Sequence, residues 1–289
     1  MAAFSTAQTG SLEMELILSI VQEELVRSAK LRPTVLDYSA QAGKGVKQIN
    51  IPRYDSHFSS PTAQTDAGAV NQQTVDFATD DLALSDWRTI PYTVGDRVST
   101  QSMVDLEAEL AASAGRAMGN YLDDKIIEQL KLASSAAPDH IQQLSGTDQD
   151  SNANQAITIA DIAKARRLLN EQNVSNEDRF LLVSPKQEFE MLNIENFISA
   201  EKYGAREALL EGEIGRVFGF RVMVHNGLSD NDVIAYQKGA VAIAVQQDMR
   251  FEAQRQVQKG QTDYAFHMLA GYQVLEEGRK QVYFNATGT

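Results

Sequence analysis

Cysteine is absent from the 289 residues. That excludes a disulfide framework, thiolate metal sites and a cysteine nucleophile, and nothing obliges the chain to meet an oxidising compartment. Long uninterrupted hydrophobic runs are missing too. The first apolar stretch, residues 12–26, is broken by Ser19, Gln22, Glu23 and Glu24 with no basic residue ahead of it, so it reads as neither signal peptide nor membrane span. Positive charge is in deficit, with 26 Lys and Arg against 39 Asp and Glu and a net charge of -13. A nucleic-acid backbone is held chiefly by Lys and Arg, so a DNA-binding enzyme is disfavoured. What is present is an apolar content of 43%, which excludes global disorder, and a length that suits two modest domains or one large one.

The acidic excess is local. Residues 51–150 hold 16 acids and 6 bases, which is -10 of the -13, whereas residues 1–50 balance five against five. No lysine occurs from Gln48 to Asp124. The stretch reads as a face kept free of anion binding, or simply as solvated surface.

Apolar periodicity places an amphipathic helix after Gly10, with Ser11 as N-cap and Leu12, Leu16, Ile17, Ile20, Val21 and Leu25 on one side. Two thin strands, over 47–53 and 73–79, bracket a long polar tip; such a pair is marginal alone in water and must lie on something else. Residues 82–94 read as strand. A long helix over about 102–134 follows, with Ser102 and Asp105 as capping box and Leu106, Leu110, Ala114, Met118, Leu122, Ile126 and Leu130 four apart. Gly115 and Gly119 inside it each cost about 1 kcal/mol of helix propensity relative to Ala, which predicts that another backbone passes close there. Residues 134–156 read as a polar linker and domain boundary. Beyond it, Thr158 and Asp161 cap a helix, residues 179–183 form a buried strand, and Ser184, Pro185 and Gln187 supply the cap, first-turn proline and capping-box partner of a short helix. Residues 233–236 and 240–245 flank a Lys238–Gly239 turn, a hairpin signal. Strand-like stretches around Tyr272, Val274, Val282 and Phe284 would return to pair with the earlier strands.

No constellation of catalytic or ligand-binding residues emerges. His57, His140, His225 and His267 show no helical metal-pair spacing. Gly43-Lys44-Gly45 lacks the Ser or Thr of a phosphate loop. Asp148, Asp150, Asn152 and Asn154 alternate like a calcium loop, yet Ala153 stands where the bend needs Gly and Ile159 where the bidentate Glu belongs. The acid pairs Asp80/Asp81, Asp123/Asp124 and Glu276/Glu277 should diverge as neighbours do, and no Gly-x-Ser-x-Gly elbow occurs. The expectation is therefore no catalytic residue, no metal and no cofactor.

The order of elements, with RTIPYTVGDRVSTQSMVDLEAELAASAGRAMGNYLDDKIIEQL at 88–130, RFLLVSPKQEFEML at 179–192 and EGEIGRVFGFRVMVHNGL at 211–228, resembles the major capsid proteins of tailed bacteriophages, with the Hong Kong 97 fold. The resemblance implies an α+β architecture. Residues 1–45 would be an N-terminal arm and 46–79 an extended β-hairpin loop lying across a neighbouring subunit. Residues 80–156 would be the peripheral domain with its spine helix, and 157–245 a mixed α/β axial domain. Residues 246–289 would return as C-terminal strands to both.

By the same resemblance the chain would be a non-enzymatic virion subunit that self-assembles into pentamers and hexamers of an icosahedral head. It would be built in the host cytoplasm, enclose double-stranded DNA without sequence-specific binding, and have no membrane partner. Subunit-interface candidates are Leu16, Ile20, Lys47, Ile49, Ile51, Arg53, Val75, Phe77, Gly115 and Gly119. The lysine-free tract argues against covalent ring closure through a loop lysine. About 45 residues precede the loop, so a separate scaffolding protein is expected, together with a portal protein. The rivals are an encapsulin-like compartment shell of the same fold and a soluble α/β enzyme.

Overall fold

The computed structural model describes residues 19–25, 28–54, 77–97, 106–132, 140–148, 152–193 and 215–288. Its organising element is the helix α2, Leu106–Lys131, 26 residues long and so spanning about 39 Å. Ala111, Ala114, Met118, Leu122, Ile126 and Leu130 form its buried stripe, at the three- and four-residue spacing that puts side chains on one face. That stripe lies beneath two sheets at once. Ile243, Phe266 and Met268 meet it from one sheet, and Leu182, Ile234 and Tyr236 from the other, all in one continuous core. The helical residues 19–25, here α1, add Val21 and Leu25 to the same core.

The first sheet has four strands: β1 (Leu36–Asp37), β12 (Val241–Gln256), β13 (Gln261–Val274) and β4 (Asp86–Gly95), in that order. Tyr92, Phe251, Tyr264 and Phe266 stack along one face of its far end, with centroids 4.9 to 5.8 Å apart, the spacing of favourable offset aromatic pairs. The second sheet has six strands in the order β5 (Ile141–Gln143), β14 (Gln281–Asn285), β11 (Val233–Gln237), β8 (Arg179–Val183), β10 (Phe220–Val224) and β9 (Arg216–Val217). Its opposite face is covered by α3 (Ile159–Glu171) and α4 (Pro185–Leu192), which close a second core through Ile162, Leu169 and Met191. Two short ribbons complete the chain: β2 (Gln48–Tyr54) with β3 (Phe77–Ala83), and β6 (Gly146–Thr147) with β7 (Ala153–Ala156).

Several sequence expectations are corrected here. The turn at Lys238–Ala240 closes no hairpin: β11 belongs to the six-stranded sheet and β12 to the four-stranded one, so the chain changes sheet at this 3-10 turn. Residues 241–245, expected in the axial unit, open the long β12 instead. Residues 141–143, expected in a polar linker, form β5, which pairs in parallel with β14; a strand at a sheet edge tolerates polar side chains that a central one would not. The strand expected over 82–94 is two, broken at Leu84 and Ser85: the first, β3, pairs with β2 and the second, β4, with β13. Ser184 does cap α4, accepting from the amide of Gln187. The Gln187 side chain does not close a capping box. It accepts from the Ile157 amide at 2.8 Å and donates to the carbonyls of Gln155 and Asp230, tying three segments together. The expected cap at Ser102 and Asp105 lies outside the described residues.

Candidate functional site

The extended loop begins where β2 and β3 pair from Gln48↔Ala83 to Tyr54↔Phe77. Its return strand runs four residues beyond the expected Thr79, because Leu82 is its anchor and is fully buried. Ile49, Leu82 and Leu84 pack on Ala242 and Ala244, the face of β12 turned away from α2, and on Leu275 beyond β13. A Cβ at Gly271 would overlap the Ala83 carbonyl oxygen, so the root presses directly onto β13. The Leu84 amide donates to Lys47 O at 2.9 Å, and the Glu276 amide to Asp80 Oδ2 at 2.9 Å. Arg53 and Asp80, both largely buried, pair at 3.4 Å. The expectation that this strand pair has no resting place on its own molecule is thus corrected for the root, where alternate apolar residues find the small side chains of β12. Residues 55–76 lie outside the described ones.

The interface candidates separate accordingly. Lys47 is exposed. Ile49 is buried in its own chain, and Ile51 packs partly against the same cluster, so both help anchor the root within the chain. Gly115 and Gly119 do mark a close backbone approach, but the neighbour is α1 of the same chain. A Cβ on Gly115 would stand 2.5 Å from Val21 O, and one on Gly119 would be 2.9 Å from Leu25 O and overlap Ser28 Oγ. Ile20, half-buried on α1, faces partly outward. Leu16, Val75 and the Phe77 side chain lie outside the described residues.

The junction of arm, helix and second sheet centres on Asp123, which sequence reasoning took for one of a solvated acid pair. Its carboxylate is wholly buried. It accepts from the Lys30 amide at 2.9 Å, the Leu31 amide at 3.1 Å and His225 Nε2 at 3.0 Å, while the Gly227 amide donates to His225 Nδ1 at 3.0 Å. Those two contacts fix the imidazole tautomer as the Nε2–H form. Asp124, one residue on, is exposed, and partial desolvation of its carboxyl pushes it up. Thr34 Oγ1 and Tyr236 Oη, 2.7 Å apart, pin the arm's next turn. The signal that could have exposed this junction is the position of Asp123 beside Leu122 and Ile126 on the buried stripe.

Two further histidines and Asp148 are taken up by contacts within the chain. His140 Nδ1 contacts Gln281 O at 2.6 Å, and His267 contacts Thr89 Oγ1 at 2.8 Å; His57 lies outside the described residues. Asp148 of the calcium-like run is taken up by Lys186 Nζ at 2.9 Å and the Asn152 amide at 2.8 Å. Among the described residues no group of three His, Asp or Glu could hold a metal, and no described helix is long and apolar enough to cross a membrane.

A scan against protein-family models matches residues 20–280 to the phage capsid proteins, a span that takes in the loop, the spine helix, the four-stranded sheet and every strand of the six-stranded sheet but β14. The chain belongs to that family. Among solved structures, that of Mycobacterium phage Che8 has a TM-score of 0.71 at 22% identity, covering 90% of this chain and 92% of the other. The capsid of cyanophage Pam1 has a TM-score of 0.71 at 12% identity, covering 91% and 94%. A virus-like particle from Pyrococcus furiosus has a TM-score of 0.60 at 14% identity, covering 94% and 99%. At these identities the likeness establishes the fold, which is the α+β Hong Kong 97-type capsid fold. No curated protein matches the sequence. As one of the phage capsid proteins, the chain is a capsid shell protein whose place is the virion capsid. Its candidate functional site is thus its set of subunit-facing surfaces.

Proposed function

We propose that this capsid protein closes into pentamers and hexamers of an icosahedral head that encloses double-stranded DNA, without catalysing a reaction. The observation that carries the reading is the match to capsid proteins over 20–280, in a chain whose excess charge is all acidic. Packaged DNA must slide past its container, and a surface at -13 offers few cations to hold it. Head-to-tail contacts that close into rings give the five- and six-fold settings a shell needs, and repetition lets individually weak contacts hold it. Assembly takes place in the host cytoplasm with a separate scaffolding protein and a portal protein.

The test is negative-stain microscopy of the purified chain, alone and with a co-expressed scaffolding partner. Closed particles of uniform diameter are expected, and a monodisperse monomer under both conditions would overturn the reading. A compartment shell of encapsulin type is the second reading, favoured by the likeness to the Pyrococcus furiosus particle. Particle contents separate the two: nucleic acid in one case, a protein cargo in the other.

A further inference from the structure

Three features that cost stability within one molecule coincide at the β9–β10 hairpin. First, Arg216 and Arg221 are directly paired across the two antiparallel strands, and like charges in that position destabilise a ribbon. Both are exposed, and among the described residues neither guanidinium has a hydrogen-bond or ion-pair partner. Second, the turn between the strands places Phe218 at φ 48 and Gly219 at φ 89. Two successive left-handed residues suit a tight hairpin, but a bulky side chain there is a backbone outlier. Third, Phe218 is 43% exposed, so packing within the chain covers this bulky residue only in part.

Beside the hairpin lies a concave cavity of about 360 Å³, lined by both arginines, by Arg179 and by Glu177 and Asp178. Arg179 is fixed there by bonds to Asn170 Oδ1 at 2.9 Å and to the carbonyls of Val174 and Ser175. Glu177 and Asp178 share the cavity, yet neither comes within 4.0 Å of a cation among the described residues.

We infer that the β9–β10 hairpin is an intersubunit contact, in which Phe218 packs on a second copy of this chain and the Arg216–Arg221 pair receives carboxylates from it. The inference rests on the shell reading and assigns one of its surfaces. Guanidinium forks suit bidentate carboxylate recognition, and an exposed aromatic between them is the composition of an interface anchor. A second copy is the source of carboxylates at hand: each carries 39 acids against 26 bases. The position is also right for a head-to-tail contact, since β9 is the outermost strand of its sheet and the basic hairpin differs from the acidic surface it would meet. Duplex DNA fits less well. Two arginines flanked by Glu177 and Asp178 offer little counterion release, and the cavity has the volume of one or two side chains.

The test compares the unaltered chain with R216E/R221E and, separately, Phe218→Gly, under conditions in which the unaltered chain closes shells. R216E/R221E should stay folded by circular dichroism while the yield of closed particles falls about tenfold or more, the effect of losing a charge-assisted pair worth about 1.4 kcal/mol or more. Phe218→Gly should move two readouts in opposite directions: the unassembled subunit melts at the same or a higher temperature, because the left-handed position is relieved, and fewer shells close. Should R216E/R221E fail to fold, Phe218→Gly carries the same test. Shells at the unaltered yield from the folded variants would overturn the inference and leave the shell reading intact. Variants that close normally but lose co-purifying nucleic acid would overturn it in favour of a nucleic-acid contact. No particles from the unaltered chain would remove the shell reading and this contact with it.

Discussion

Asp148 shows how a residue with the spacing of one chemistry serves another. It sits in an alternating acid and amide run, but its carboxylate is engaged by Lys186 Nζ and by the Asn152 amide. Those contacts, the lysine first, hold its carboxyl below the ordinary aspartate range. A carboxyl with a lowered folded pKa contributes stability that is fully present above the unfolded value of about 3.9 and is lost as pH falls through the lower folded value. Calorimetric melting temperatures should therefore drop as pH is lowered below about 4. Asp148→Asn should melt lower than the unaltered chain at neutral pH and show a shallower acid limb; parallel curves for the two proteins would contradict the assignment. Asp123 makes the complementary point. Nothing in the pair Asp123/Asp124 distinguishes the buried residue from the exposed one except helical phase, and only the fold brings His225, 102 residues away, onto it.

At the scale of elements, α2 carries the clearest predictions because it supports both sheets. Leu122 is wholly buried on its stripe. Leu122→Asp places a carboxylate there without a partner, at a cost of about 5 kcal/mol or more. Set against a typical total stability of about 5–15 kcal/mol, that should leave the chain insoluble or unfolded by circular dichroism; a soluble, assembling variant would show the stripe is exposed. Gly115→Ala sets two effects against each other. The helix gains about 1 kcal/mol of propensity, but a Cβ 2.5 Å from the Val21 carbonyl forces α1 away from α2, and overpacking of this kind costs about 1–3 kcal/mol. A net loss of stability is expected in denaturant titration, whereas a net gain would mean α1 is free to move.

These same elements show what could be read in advance. The four-residue apolar spacing locates α2, and the two glycines locate a close backbone, because helical period and steric clearance are local properties. Whose backbone it is depends on a contact between residues about 90 positions apart, and the glycines alone leave self and neighbour equally possible. The sheet change at Lys238–Ala240 was illegible for the same reason: β11 and β12 each carry a buried apolar run, and alternation does not record which partner a strand will choose. Residues 211–228 carry part of the resemblance in sequence, but the hairpin within them does not show there. The opposition of Arg216 and Arg221 appears only with the register.

For the whole molecule, the loop ribbon links the fold of one copy to the closure of many. Its root is stabilised internally: Ile49, Leu82 and Leu84 fill a cluster with β12 and Leu275, and Asp80 binds both Arg53 and the Glu276 amide. None of these contacts involves residues 57–68, so deleting that segment removes no described core residue. Shortening a connection also lowers its closure entropy, by only about 0.6 kcal/mol per halving of length. The deleted chain should accordingly keep the secondary structure and melting temperature of the full-length protein. Its assembly should differ. A shell held by many weak heterologous contacts closes only when each is made, because effective concentration multiplies pairs that are geometrically able to engage and gives nothing to those that are not. If residues 57–68 reach a neighbouring copy, sedimentation velocity and microscopy of the deletion should show a folded subunit or small oligomers without closed particles. Normal particles from a folded deletion would remove the intersubunit role from the loop and leave it to the β9–β10 hairpin and the other exposed faces.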